Sequence, residues 1–152
     1  SPLYLAVDGE LIGVIGIEDP LKAGVREAIA DLRMLGFKRV VMLTGDGERT
    51  AARIADAAGV TEYRANLLPE DKYAFVERLK AEGSKVVMVG DAMGDAQAAA
   101  ANGVSFVPIL PGREAESWRR LQEEALPKLL HGTFSPEYQA TLLAQLRSVL
   151  HG

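Results

Sequence analysis

Short apolar runs alternate with longer amphipathic runs along most of this 152-residue chain. Two apolar runs of strand length, Arg39–Leu43 and Lys85–Val89, are each followed by a stretch with helical spacing. This alternation is typical of α/β domains, in which a mainly parallel sheet carries helices on both faces. The length suits one domain, so we expect residues 1–152 to form a single unit, with a core over 1–110 and a helical extension over 111–152.

The first residues predict an N-terminal β-hairpin. The apolar runs Leu3–Val7 and Leu11–Ile17 flank Asp8-Gly9-Glu10, and Asp-Gly between apolar runs is a strong hairpin signal. Asp19 and Pro20 then suit the start of a helix, since Asp can cap it and Pro fits its first turn.

The extension predicts two C-terminal helices. The first, over Glu114–Leu130, should be interrupted or kinked at Pro127, because proline lacks the backbone N–H that a helix interior needs. The second begins near Ser135 and carries apolar residues at helical spacing. We expect these helices to pack on the domain or on each other, and the alternative is that they form a dimer surface.

Composition excludes several classes of function. A formal net charge of −4 argues against binding nucleic acid through bulk positive charge. The absence of cysteine excludes disulfides and thiolate metal sites, and favours a reducing, cytoplasmic location. No apolar run approaches the ~18 residues of a membrane span, so we expect no membrane partner.

Polar residues follow several of the predicted strands. They are Asp8, Thr44-Gly45-Asp46, Asp91 and Asp95, with Lys72 at a helix start. Ligand sites gather at the carboxyl ends of parallel strands, where carboxylates hold Mg²⁺, hydroxyl and backbone N–H groups bind phosphoryl oxygens, and a lysine neutralises charge. Each feature alone also fits a structural role, as a turn, a helix cap, a surface lysine or a hairpin residue.

The order and spacing of four motifs resemble the phosphorylation domain of P-type ATPases, above all the heavy-metal-transporting kind, within the haloacid dehalogenase (HAD) superfamily. The motifs are Asp19-Pro20-Leu21-Lys22, Thr44-Gly45-Asp46-Gly47, Leu68-Pro69-Glu70-Asp71-Lys72 and Val89-Gly90-Asp91. The resemblance covers about residues 4–100. It implies a three-layer Rossmann-like, HAD-like fold. After residue 104 the chain, with Pro111–Trp118, instead resembles the C-terminal part of soluble HAD phosphatases.

The resemblance also implies roles for individual residues. Thr44 matches the residue that binds the phosphoryl group, with Gly45 and Asp46 beside it, and Lys72 matches the lysine that steadies that group. Asp91 matches the carboxylate that binds Mg²⁺. Asp95 matches a second acidic residue, so we expect Asp91 and Asp95 to form the metal site.

The family's nucleophile is missing. Its Asp-Lys-Thr-Gly-Thr motif does not occur in the 152 residues. When Leu3–Leu11 is laid on the superfamily's first motif, Asp8 falls on the acid/base position but Ala6 falls on the nucleophile, and a methyl group cannot attack phosphorus. In the family's acidic loop, Ala92 and Gly94 replace Gly and Asn.

The alternative register treats residues 4–18 as a hairpin, which leaves the centre of the sheet without its usual strand. An unfilled centre would cost hydrogen bonds, so we expect Leu3–Val7 or Leu11–Ile17 to fill it. If Leu11–Ile17 does, Glu18 or Asp19 reaches the site. A second, swapped or complementing chain is the alternative.

Two functions follow from these observations. The first is a Mg²⁺-dependent phosphoryl-transfer or phosphatase-type domain for phosphate or a phosphorylated small molecule, weak or inactive without its nucleophile, with Asp8, Thr44 and Lys72 as catalytic candidates. The second is a non-enzymatic fragment, chimera or designed domain that folds, binds Mg²⁺ or phosphate, or dimerises through the hairpin or the C-terminal helices. A receiver-like domain fits poorly, because it needs an acidic pair after the first strand.

Overall fold

A computed structural model of the chain describes residues 3–8, 10–13, 25–34, 39–60, 62–83 and 86–151. Within these residues one sheet contains six strands. The strands are β1 Leu3–Asp8, β2 Glu10–Gly13, β3 Arg39–Leu43, β4 Glu62–Arg64, β5 Val86–Gly90 and β6 Ser105–Pro108. The helices are α1 Val25–Met34, α2 Glu48–Ala58, α3 Pro69–Ala81, α4 Met93–Asn102, α5 Glu114–Arg120, α6 Leu126–His131 and α7 Pro136–His151. The predicted helix start at Asp19 and Pro20, and Glu18, lie outside the described residues.

The sheet has the order β4-β3-β2-β1-β5-β6. β2 and β4 pair parallel with β3, and β6 pairs parallel with β5. β1 runs antiparallel to β2, β3 and β5. The α/β fold with a mainly parallel sheet is therefore confirmed, with one reversed strand near its centre.

The centre of the sheet is filled by the hairpin of this chain. β1 pairs with β2 in a register that sets Asp8 opposite Glu10, as the Asp-Gly signal predicts. The direction of β1 corrects the expectation that Ala6 lies at the position of the family's nucleophile. Leu3, at its beginning, pairs with Met42 of β3 and Val89 of β5, whereas Ala6 pairs with Ile12. The carboxyl ends of β3 and β5 therefore adjoin the start of β1, and Ala6 does not occupy the place of a nucleophile at the end of a parallel strand.

Alternating residues of the strands divide the core into two layers. Val40 and Met42 of β3 pack with α1, α2 and the α5–α6 region, whereas Val41 and Leu43 pack with α3, α4 and α7. This alternation is the period of two that a strand imposes on its side chains. Because both faces are covered, the strands read as continuous apolar runs in the sequence.

The first C-terminal helix departs from its prediction in one respect. α5 and α6 are joined through a π-helical turn, Leu121–Ala125, rather than interrupted. Pro127 follows directly after this turn, in the first turn of α6. Since a proline ring clashes with the carbonyl four residues before it, the wider π turn accommodates Pro127 without ending the helix. Trp118 and Leu121 are buried against the α1 and α2 side of the core.

The last helix, α7, packs on the opposite face. Its Leu146 is buried in the layer formed by α3 and α4, and its Gln139 lies at the edge of β6, where it bonds to the Phe106 backbone. The two C-terminal helices therefore cover opposite faces of the sheet. In the part of the chain that the structure describes, no helix combines the length and apolar character needed to cross a membrane.

Candidate functional site

The turn after β3 is organised around the Thr44 hydroxyl. Thr44 is 1% exposed, and its Oγ1 accepts a hydrogen bond from the Asp46 N–H at 3.0 Å and donates to Asp46 Oδ2 at 3.1 Å. A side chain that hydrogen-bonds the backbone two residues later is typical of a turn. A turn is one of the two roles that the sequence allows for this segment, and phosphoryl binding is the other. Thr44 and Asp46 are thus brought together as a preformed pair at the carboxyl end of β3.

A second loop holds this turn in place. The Leu67 N–H donates to the Thr44 carbonyl at 3.0 Å, and the Asn66 N–H donates to the Asp46 carbonyl at 2.7 Å. A Cβ at position 45 would lie 3.3 Å from the Leu67 carbonyl oxygen, so glycine permits this close approach. The loop between β4 and α3 therefore fixes the backbone of residues 44–46.

Asn66 adopts an unusual backbone conformation within that loop. Its φ is +57°, and among the described residues it is the non-glycine residue with positive φ. Its side chain is exposed, and a Cβ on Gly47 would lie 3.9 Å from its Oδ1. Asn66 is not among the residues predicted from sequence, although asparagine is enriched at positive φ and the nearby Pro69 marks a turn region.

The Asp95 carboxyl group is the most deeply buried acidic group of the site. Asp95 is 8% exposed, and its Oδ2 has no hydrogen-bond partner among the described residues. Burial raises the pKa of Asp95, the charge of Asp91 raises it further, and the charge of Lys72 opposes both. The three charged groups predicted from sequence therefore interact electrostatically in the folded protein.

Gly90 makes room for this carboxyl group. A Cβ at position 90 would lie 2.6 Å from Asp95 Oδ2 and 3.0 Å from its Cβ and Cγ. No side chain can occupy that space unless Asp95 moves. The Gly90-Asp91 pair at the end of β5 therefore has two roles, since Gly90 leaves space for the Asp95 side chain and Asp91 is the first residue after the strand.

The position of Lys72 depends on how α3 begins. Pro69 occupies the first turn, and Asp71 Oδ2 accepts a hydrogen bond from the Leu68 N–H at 2.9 Å, which caps the helix. Lys72 comes one residue later and is half-buried. The start of α3 thus directs a cation to the same sheet edge as Asp91 and Asp95.

Two further helices begin at this edge without side-chain caps. Gly47 precedes α2 and Ala92 precedes α4, and neither helix has a side-chain hydrogen bond at its cap. Uncapped N–H groups and the positive end of the helix dipole favour an anion at such positions. The edge therefore combines carboxylates, a lysine and backbone donors.

Asp8 does not join this group. In the register of the hairpin it pairs with Glu10, and β2 pairs with the beginning of β3 at Arg39. The backbone of Asp8 therefore lies at the end of the sheet opposite Thr44, and an acid/base role for Asp8 stays a prediction. The physical reason for this placement is the antiparallel direction of β1, which composition and spacing leave undetermined.

The residues present fit a magnesium ion. Within the described parts of the chain no group of three or more His, Cys, Asp or Glu side chains forms a metal cluster. Mg²⁺, however, commonly uses one or two carboxylates and keeps several waters. Asp91 and Asp95 provide two carboxyl groups, and the buried Asp95 Oδ2, which has no hydrogen-bond partner in the described part of the chain, is an oxygen that a cation would satisfy.

The fold is an α/β sheet with acidic and basic groups at its carboxyl edge, the place where open α/β sheets bind their ligands. A profile of haloacid dehalogenase-like hydrolases matches residues 3–103, two-thirds of the chain. The chain therefore belongs to the haloacid dehalogenase-like hydrolase family. This assignment confirms the resemblance to the HAD superfamily, from which the roles of the site residues were predicted.

Curated relatives are P-type ATPases. A manganese-exporting P-type ATPase of Mycobacterium bovis is 42% identical over 114 residues, 75% of this chain and 16% of the relative. A silver exporting P-type ATPase of Salmonella typhimurium is 47% identical over 104 residues, 68% of this chain and 12% of the relative. The chain thus spans less than a fifth of the length of these relatives.

A solved structure shows the same fold at larger coverage. A zinc-transporting PIB-type ATPase in its E2·Pi state aligns with 92% of this chain and 27% of its own chain, at a TM-score of 0.55 and 26% identity. This likeness extends into the C-terminal helices, beyond residue 103 where the family profile ends.

Proposed function

We propose that this chain is a phosphoryl-binding domain of the HAD type that takes Mg²⁺ together with phosphate or a phosphorylated small molecule. The observation that carries the proposal is the buried Asp95 carboxyl oxygen, which lacks a hydrogen-bond partner within the residues that the structure describes and is acted on by the charges of Lys72 and Asp91. A buried carboxylate without a partner is unfavourable for the folded protein, and a bound cation would offset that cost.

Each residue has a distinct part in the proposed site. Asp91 and Asp95 would hold Mg²⁺, which when bound would neutralise phosphoryl charge. Thr44, Gly45 and Asp46 form the turn that would receive a phosphoryl oxygen, and Lys72 would stabilise its charge. An anionic oxygen at Thr44 would displace the hydroxyl's bond to the Asp46 carboxylate.

We further propose that catalytic turnover is weak or absent in these 152 residues. The sequence contains no Asp-Lys-Thr-Gly-Thr motif, and Asp8 lies at the far end of the sheet. Covalent transfer needs a nucleophile at the phosphoryl group. A cytoplasmic location and the absence of nucleic-acid and membrane partners belong to this proposal as well.

The test is thermal unfolding of the full chain with Mg²⁺ alone, inorganic phosphate alone, both together, and Mg²⁺ with beryllium fluoride. We expect the combined ligands to raise Tm, since a ligand at 100 times its Kd stabilises the native state by about 2.7 kcal/mol. Asp91→Ala should abolish the shift. Asp56→Ala, on the exposed surface of α2, serves as the matched control and should retain it.

Activity is measured in parallel with p-nitrophenyl phosphate. Robust Mg²⁺-dependent phosphate release that Asp91→Ala removes would contradict the weak-turnover proposal while supporting the binding site. An unchanged Tm in every ligand combination would contradict the binding site itself.

A second candidate function is a non-enzymatic fragment, chimera or designed domain. The antiparallel β1 favours it, because the hairpin fills the sheet centre without bringing a carboxylate to the carboxyl edge. On this proposal the chain folds and binds Mg²⁺ or phosphate without turnover. Dimerisation through the N-terminal hairpin or the C-terminal helices stays a prediction, which light scattering over a concentration series tests.

A further inference from the structure

The start of helix α2 carries a hydrogen bond between two side chains that lie 15 residues apart in the chain. The Tyr63 hydroxyl donates to Glu48 Oε1 at 2.6 Å, and this bond raises the pKa of Tyr63. Glu48 is the first residue of α2, and Tyr63 is the middle residue of β4. The bond therefore joins two separate elements of the fold at the edge where the candidate site lies.

The register of the sheet explains how Tyr63 reaches the start of α2. Tyr63 pairs with Met42 of β3, so the two side chains project from the same face of the sheet. Met42 shares its core layer with Ile54 of α2, and the Tyr63 ring packs against this layer. Because the ring is held by the core whereas the Glu48 side chain is exposed, Tyr63 can fix the direction of the Glu48 carboxylate.

An alternative place for the Glu48 carboxylate lies at the start of its own helix. α2 has no side-chain hydrogen bond at its cap residue Gly47, so the first N–H groups and the positive end of the helix dipole are open to an anion. A carboxylate in the first turn is attracted to the same end. A Glu48 side chain released from Tyr63 would therefore compete with a phosphoryl oxygen beside Gly47.

We propose that Tyr63 is a positioning residue, which holds the Glu48 carboxylate away from the start of α2 and so leaves this helix end to a phosphoryl oxygen bound in the Thr44–Gly47 turn. This inference rests on the proposed function and adds to its site a residue that acts through another. A phenol suits the role because its O–H satisfies a carboxylate oxygen and adds no charge beside the ligand.

The experiment is a double-mutant cycle on the full chain, measured by calorimetric titration with inorganic phosphate in the presence of Mg²⁺. Tyr63→Phe keeps the ring and its packing but removes the hydroxyl. Glu48→Gln removes the charge and keeps the size of the side chain. The double variant separates a role through Glu48 from a role in packing. Asp56→Asn, which removes a charge from the exposed far end of α2, controls for net charge.

We expect Tyr63→Phe to weaken the phosphate Kd by roughly two- to fivefold, the effect of one surface charge brought near the ligand. Glu48→Gln and the double variant should bind alike and at least as tightly as wild type, because a neutral carboxamide does not compete with the anion. Asp56→Asn should match wild type.

Three other results would decide against these expectations. Tyr63→Phe binding phosphate as tightly as wild type would overturn the proposal. A double variant as weak as Tyr63→Phe would overturn it too, since the hydroxyl would then act through packing and not through Glu48. Failure of the wild-type chain to bind phosphate would instead overturn the proposed function, and this inference with it.

Discussion

The Gln139 side chain hydrogen-bonds both the N–H and the carbonyl of Phe106, each at 2.8 Å. A carboxamide carries the donor and acceptor pair of a peptide group, so Gln139 occupies the place of a neighbouring strand at the β6 edge. The next outward-facing position along β6 is Pro108, which has no N–H to donate. Helix α7 therefore closes an edge that would otherwise be open to strand addition.

Loss of the Gln139 carboxamide should weaken this end of the sheet. We expect Gln139→Ala to lower the free energy of unfolding by about 1–3 kcal/mol, because the Phe106 backbone groups lose their partners. Hydrogen exchange at the Phe106 amide should accelerate more than at Val107, which lies on the side of β6 that pairs with β5. Gln97→Ala, on the exposed surface of α4, is the matched control. Equal urea midpoints for the two variants would contradict a role for Gln139 at the edge.

Two glycines near the site should respond in opposite directions to alanine. Gly90→Ala places a methyl group 2.6 Å from Asp95 Oδ2, so we expect a loss of about 1–3 kcal/mol of stability from overpacking, with displacement of Asp95. Gly94 lies in α4 with no atom within 4 Å of an added Cβ. Gly94→Ala should therefore be neutral or stabilising, by up to ~1 kcal/mol from helix propensity. Chemical unfolding of both variants measures the difference, and a stable Gly90→Ala that still binds Mg²⁺ would contradict this account of Gly90.

Asp95 should reduce the stability of the metal-free protein as the pH rises. Burial raises its folded pKa above the ordinary 3.8, so the folded state favours the protonated form, and stability falls as the pH increases from 3.8 through the folded pKa. Asp95→Asn removes this dependence, and we expect its stability relative to wild type to be greater at pH 7 than at pH 4. Urea unfolding at the two pH values measures the effect.

The same substitution should remove the response to Mg²⁺. Thermal unfolding with and without MgCl₂ should show a Tm increase for wild type and none for Asp95→Asn, because the cation loses one of its two carboxylates. An undiminished Mg²⁺ shift in Asp95→Asn would place the metal elsewhere.

The effect of Glu62 on stability should depend on pH in the opposite direction to that of Asp95. Arg39 donates to its two carboxyl oxygens at 2.9 and 2.6 Å, and this pair holds the Glu62 pKa below its ordinary 4.5. The pair therefore stabilises the fold above pH 4.5, and this contribution is lost as the pH falls through the folded pKa. Because both side chains are partly exposed, we expect at most ~1 kcal/mol. Glu62→Gln should flatten the acid limb of a stability–pH curve, whereas Glu77→Gln, on the exposed side of α3, should not.

Much of the fold could be predicted from local patterns. Apolar runs located β3 and β5, and the Asp-Gly signal located the hairpin of β1 and β2. The locations of Thr44, Lys72 and Asp91 in the fold each depend on a short segment that ends a strand or begins a helix. Such features depend on neighbours in the chain, which the sequence displays directly.

The arrangement of those pieces depended on contacts between distant segments. The direction of β1 relative to β3 and β5 is decided by which register buries the hairpin at the centre of the sheet, and it separates Asp8 from the site. The backbone of Asn66, with its positive φ, is held by a hydrogen bond from its N–H to the carbonyl of Asp46, 20 residues earlier in the chain.

The sequence by itself determined the alternation of strands and helices, the residues that match the family's motifs and the absence of the Asp-Lys-Thr-Gly-Thr motif. The tertiary structure alone decided that Asp95 is buried beside Lys72, that Gly90 makes room for it, and that Gln139 closes the β6 edge. Local propensity acts over a few residues, whereas burial and cross-strand pairing exist only once distant segments meet, and these set the charge state and geometry of the site.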